Sequence, residues 1–60
     1  MLFYIQERST GKPCRLDRDD NIVPCDDFAD MVIIRDMEYA RGLVANDYRF
    51  CARVFFGQII

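Results

Sequence analysis

The 60-residue sequence contains no histidine, a single lysine (Lys12) and no Cys-x-x-C pair, and it has no internal repeat or low-complexity linker. Without histidine the commonest general base is missing, and with it every Cys-His or Ser-His nucleophilic arrangement. No uninterrupted apolar run approaches the roughly 18 residues expected of a membrane-spanning helix. Near-absence of lysine removes the diffuse basic character usual in nucleic-acid-binding domains. Three cysteines, Cys14, Cys25 and Cys51, form no tight pair. The start Met1-Leu2-Phe3-Tyr4 lacks the basic region of a secretory signal, so the expected setting is a reducing cytoplasm.

What is present is ample core material in a very short chain. Just over half of the residues are apolar, among them Phe3, Phe28, Phe50, Phe55 and Phe56, which argues against intrinsic disorder. One domain over residues 1–60 is expected. A chain this short buries only about 60% of the surface its unfolded form exposes, which leaves little room for an enclosed active site. The reading is therefore a non-enzyme with no cofactor.

The charges are unevenly placed. From Asp17 to Asp30 there are six Asp against one Arg, giving −5, while the remainder carries Glu7, Asp36, Glu38 and Asp47 against Arg8, Lys12, Arg15, Arg35, Arg41, Arg49 and Arg53, giving +3. Whether this polarity survives in space depends on whether the acidic stretch projects into solvent or lies across the arginines.

Leu2-Phe3-Tyr4-Ile5 is a dense β-forming run, closed by the turn chemistry of Ser9-Thr10-Gly11-Lys12-Pro13. Cys14-Arg15-Leu16-Asp17 predicts a short second strand, Asp19-Asp20-Asn21 a turn, and Ile22-Val23 a further extended piece stopped by Pro24. Met31-Val32-Ile33-Ile34-Arg35 reads as a strand covered on both faces. Asp36 suits an N-cap with Glu38 in the first turn; Met37, Ala40, Leu43 and Val44 make one helical stripe, and Asn46 suits a stop. The last segment alternates, with Tyr48, Phe50, Ala52, Val54 and Phe56 on one face and Arg49, Cys51 and Arg53 on the other. Gly57 should end or bend this strand, leaving Gln58-Ile59-Ile60 as an apolar tail. The expected architecture is α+β: a small antiparallel sheet of three to four strands with one α-helix packed on one face. A rival reads one helix from Asp27 to Asp47, against which the β-branched cluster Val32-Ile33-Ile34 counts.

Several chemical readings fall on their own requirements. Asp17-Arg18-Asp19-Asp20-Asn21 starts like a calcium loop, yet an EF-hand needs Gly at its sixth position and Glu at its twelfth, where this chain has Ile22 and Phe28. A zinc site on Cys14, Cys25 and Cys51 would need a carboxylate as fourth ligand, and cysteines acting as small hydrophobes are the better reading. Gly11-Lys12 lacks the rest of a phosphate-binding loop. The adjacent carboxylates Asp19-Asp20 and Asp26-Asp27 read as solvated rather than as an acid/base pair. Arg49 and Arg53, with Arg41 near by and Tyr48 and Phe50 as stacking surfaces, make a weak nucleic-acid module an alternative. Against it stand the net negative charge and the alternation that turns the aromatics away from the arginines.

That leaves the acidic stretch as a recognition surface. Closely spaced carboxylates on a rigid scaffold imitate backbone phosphates and fit a basic channel. The candidate contacts are Asp17, Asp19, Asp20, Asp26, Asp27 and Asp30, and the expected partner is a basic protein surface. A second alternative is a small structural or regulatory module that homodimerises through an open sheet edge or the Ile59-Ile60 tail.

Taken whole, the chain resembles the small orphan proteins of phages and mobile elements, among them anti-CRISPR proteins, in being tiny, acidic, poor in histidine and composed of a few strands and one helix. Its segment Ile34-Arg35-Asp36-Met37-Glu38-Tyr39-Ala40-Arg41, an extended run passing through a cap into an Ala-centred helix, is similar to segments of such proteins. The resemblance implies a phage-encoded inhibitor in the cytoplasm of a host cell, with a basic host protein or ribonucleoprotein complex as its partner, that blocks a nucleic-acid-binding or nuclease-recruitment surface of a nucleic-acid-guided nuclease complex. It carries no functional residue across, because anti-CRISPR proteins share no common motif.

Overall fold

A computed structural model of the chain describes residues 1–57. The expected tail Gln58-Ile59-Ile60 lies outside the described residues. Four strands and one helix follow in the order β1 (Leu2–Glu7), β2 (Cys14–Leu16), β3 (Ile22–Pro24), α1 (Met37–Val44) and β4 (Phe50–Phe55), with one 3-10 turn at Phe28–Asp30 before α1. The fold is α+β, with the helix packed against β1 and β4.

The strands form two antiparallel pairs. β1 pairs with β4, Leu2 opposite Phe55 and Glu7 opposite Phe50, and β2 pairs with β3, Cys14 opposite Pro24 and Leu16 opposite Ile22. Single bridges, Phe3 to Ile34 and Gln6 to Pro13, join β1 to the rest of the chain. Pro13 has no N–H to donate, which helps to stop β1 and β2 from closing into one continuous ladder.

The two turns use different chemistry. After β1 the backbone needs a left-handed residue and Gly11 supplies it at φ +75, its N–H donating to the Glu7 carbonyl at 2.8 Å. Between β2 and β3 that conformation falls to Asp20, at φ 62. The Asp20 N–H donates to the Asp17 carbonyl at 3.1 Å and the Asp17 N–H to the Asn21 carbonyl at 3.0 Å. This is a three-residue hairpin loop that places its last residue left-handed, a position Asp tolerates better than most side chains.

The expected strand Met31–Arg35 is not one. The segment is extended, but Val32 donates to the Cys14 carbonyl at 3.0 Å while Ile34 exchanges both its bonds with Phe3 at 2.8 and 2.9 Å. It crosses from one strand pair to the other with a bond to each, so a ladder runs along neither. The single helix from Asp27 to Asp47 does not form either. Asp27 caps only the 3-10 turn, and α1 starts ten residues later behind Asp36, whose carboxylate accepts the Glu38 N–H at 2.9 Å. The helix stops at Val44 with Ala45 as its C-cap, and Asn46 does not adopt a left-handed conformation.

Phe3, Ile5, Cys14, Ile34, Ala40 and Phe50 make the core, with Ile22, Val32, Leu43, Val44, Ala52 and Val54 packed around them. Ile5 is fully buried, a placement that contributes about 1.5–3 kcal/mol by removing its side chain from water. Cys14, equally buried, packs as a small hydrophobe. Burial pushes its thiol up to about 11. Two aromatics of the alternating segment fall outside this core, Tyr48 being 94% and Phe56 92% exposed. The β1/β4 register explains both. Continued outward, it would set Tyr48 opposite Ser9, already in the turn, and Phe56 opposite Met1, itself 85% exposed. Phe28 likewise leaves the core, and its ring meets the Tyr4 ring edge-on at 6.5 Å, as the Phe55 ring does at 6.2 Å.

Candidate functional site

The six aspartates of the acidic stretch separate into two groups at opposite ends of β3. Asp17, Asp19 and Asp20 belong to the β2–β3 loop, and Asp26, Asp27 and Asp30 to the segment that leaves β3. The run from Asn21 to Cys25, which spans roughly 13 Å at about 3.3 Å per residue when extended, lies between the two groups. All but Asp17 are exposed.

Each aspartate stands differently toward its surroundings. Asp17 is turned inward on its own loop, where Oδ1 accepts the N–H groups of Asp19 and Asn21, both at 2.9 Å, and these bonds hold its carboxyl below the usual range. This is local turn chemistry and leaves Asp17 less available to a partner than its neighbours. Asp27 Oδ1 accepts the Ala29 N–H at 2.9 Å as the cap of the 3-10 turn. Asp26 pairs with Lys12 Nζ at 2.8 Å, which lowers the Asp26 carboxyl and raises the Lys12 ammonium. Both partners are largely exposed, so the pair contributes little to stability. Asp19, Asp20 and Asp30 have no side-chain hydrogen bond or ion pair among the described residues.

Among the described residues Arg41, Arg49 and Arg53 form no ion pair with this stretch. Arg49 is taken by Asp47 through two bonds, Nε to Oδ1 at 3.0 Å and Nη2 to Oδ2 at 2.7 Å, and Asp47 Oδ1 also accepts the Arg49 N–H at 3.1 Å. The Asp47 carboxyl is accordingly lowered and the Arg49 guanidinium raised. The Arg49 guanidinium carbon also lies 5.1 Å from the Phe50 ring centre. Asp20 shares a shallow cleft with Asp47 and Arg49 but forms no ion pair there. The expected grouping of Arg41, Arg49 and Arg53 does not form. Arg49 sits in the turn before β4, Arg53 stands opposite Tyr4 on the face of the β1/β4 pair away from the core, and Arg41 lines a cleft on the helix side.

That cleft, about 440 Å³, lies between α1 and the inner face of β4. Phe50, Ala52 and Val54 form its floor and Met37, Arg41 and Val44 its helix wall. The sequence does not advertise it, because it is made where α1 covers only part of a sheet whose strands come from the two ends of the chain. The pairing of Asp47 with Arg49 is also absent from the sequence reading; its signal is local, an acidic side chain two residues before an arginine in a turn.

The three thiols are free, and among the described residues no three Cys, Asp or Glu side chains converge to hold a metal ion. No helix among them is long and apolar enough to cross a membrane. Comparison with protein-family models, curated proteins and solved structures finds no match to this chain.

Proposed function

We infer that the chain is a non-catalytic inhibitor that docks its aspartates onto a basic surface, and that the surface belongs to a nucleic-acid-guided nuclease complex of the host. The observation that carries this reading is that none of Arg41, Arg49 and Arg53 forms an ion pair with the acidic stretch among the described residues, Arg49 being held by Asp47 although it shares a cleft with Asp20. Five of its six aspartates are exposed, and among the described residues the one cation that pairs with any of them is Lys12. Two carboxylate groups on a short hairpin present negative charge at two places, as a nucleic-acid backbone does, and Arg49 is held back by Asp47. The anti-CRISPR resemblance supplies the class of target, and the partner is recognised by its positive potential.

Asp19, Asp20 and Asp30 carry the reading, because they have no local structural task; Asp26 and Asp27 contribute while also serving Lys12 and the 3-10 turn. The experiment is a gel-shift assay of target-DNA binding by guide-RNA-loaded nuclease complexes. The chain is compared with a variant carrying Asp19→Asn, Asp20→Asn, Asp26→Asn, Asp27→Asn and Asp30→Asn. Asn keeps the capping geometry at position 27, so circular dichroism should be unchanged. Blocked DNA binding with the native chain and free binding with the variant is the expected result. Equal behaviour of the two chains counts against the acidic surface.

A further inference from the structure

Among the described residues β4 is the one long strand with an open side. In an antiparallel ladder, alternate residues direct their N–H and C=O groups to opposite edges. Arg8 N–H donates to the Arg49 carbonyl at 2.8 Å, and on β1 the odd positions turn away from β4, Phe3 bonding Ile34 and Glu7 bonding Lys12. The groups of Cys51, Arg53 and Phe55 therefore serve β1, and those of Ala52 and Val54, with the Phe50 carbonyl, point outward. Among the described residues none of these has a backbone partner, while the Phe50 N–H is taken by the Asp47 carbonyl at 3.3 Å.

This edge also lacks the usual protection. Phe50–Phe55 contains no Pro, no Gly and no Lys, and its one charge, Arg53, leaves by the outer face. The other outer strand, β3, is three residues long, ends in Pro24 and is flanked by aspartates. Short length, proline and charge are the devices that keep an edge from pairing. Beside the open β4 edge lies the apolar cleft floored by Phe50, Ala52 and Val54. Exposed sheet hydrogen-bonding groups and uncovered inner face thus occupy one strip.

We propose that β4 pairs antiparallel with β4 of a second copy of this chain, around a twofold axis through Ala52. The hydrogen-bonding alternation permits only registers that set an outward residue opposite an outward residue. Four of these overlap by three residues or more. Centring on Arg53 would stack two guanidinium groups directly opposite each other, which is destabilising. Centring on Cys51 shortens the overlap to Phe50–Ala52, and centring on Val54 shortens it to Arg53–Phe55. Centring on Ala52 aligns Phe50 through Val54, sets Phe50 opposite Val54 of the second copy and places Arg53 opposite Cys51 of the second copy. The result is a four-stranded sheet with both helices on one face, in which the two clefts meet over the axis. In this register the strand complements itself on the inner face, where each Phe50 meets a β-branched Val54 of the other copy, a favoured cross-strand pair, and no like charges stand opposite each other.

Sedimentation equilibrium of the full chain should give a concentration-dependent species of twice the 7.1 kDa chain mass. Ala52→Pro removes the outward N–H at the axis and should leave a monomer with an unchanged circular dichroism spectrum. Should that variant fail to fold, Arg53→Cys decides. In the proposed register residues 51 and 53 form a non-hydrogen-bonded pair across the axis with Cα atoms about 4.5 Å apart, within disulfide reach. Mild oxidation should give a covalent dimer whose peptide map links Cys51 of one copy to position 53 of the other. A native chain that stays monomeric up to millimolar concentration, or an Arg53→Cys dimer linked only Cys51 to Cys51, would overturn the proposal.

Discussion

Asp17, Asp26 and Asp47 are held by three different donors: backbone N–H groups, the Lys12 ammonium and the Arg49 guanidinium. Each donor favours the ionised carboxylate, so each folded carboxyl lies below its ordinary value. In the unfolded chain the same groups titrate near about 3.9. The sign follows: their contribution is fully present above that value and is lost as pH falls through the lower, folded values. Urea unfolding should therefore give constant stability from neutral pH down to about pH 5 and a progressive fall below about pH 4. Asp17→Asn should flatten part of that fall. A stability that rises on acidification through this window would contradict the assigned pairings. The individual partners were not all legible. Asp17 belongs to a recognisable turn sequence, but Lys12 finds Asp26 only because the hairpin returns the chain beside it.

Among the elements, the legible ones are those whose signal is local. Leu2-Phe3-Tyr4-Ile5, the loop residues Asp19-Asp20-Asn21 and the Asp36 cap stand where their chemistry places them. Met31–Arg35 was misread because β-branched residues report extended backbone and cannot report whether one partner strand runs alongside. Here Val32 and Ile34 bond to different strands. Tyr48 and Phe56 were misread because alternation continues past the end of pairing. The helix offers a matched pair of tests in thermal and urea unfolding. Asp36→Ala removes the acceptor of the Glu38 N–H and should destabilise by about 1 kcal/mol. Gly42→Ala, where a Cβ meets nothing within 4 Å, should stabilise by roughly 0.5–1 kcal/mol. Equal and negligible effects would mean that α1 is held by packing alone.

Over the whole molecule, the α+β class was legible from the order of local signals, and the segregation of charge was legible in amount but not in space. The count of −5 against +3 is compatible with an acidic loop collapsed onto arginines. What separates the two charges is Asp47, which occupies Arg49, together with the placement of Arg41 and Arg53 on opposite faces of the β1/β4 pair. The most direct test of the acidic surface is the association rate between the chain and an immobilised guide-RNA-loaded nuclease complex, measured against ionic strength for the native sequence and for Asp19→Asn/Asp20→Asn/Asp30→Asn. Steering by exposed carboxylates predicts that the native rate falls by roughly a hundredfold from low to high salt and that the triple variant starts near the high-salt value. A native rate indifferent to salt, or a triple variant that associates as fast as the native chain at low salt, would contradict the account.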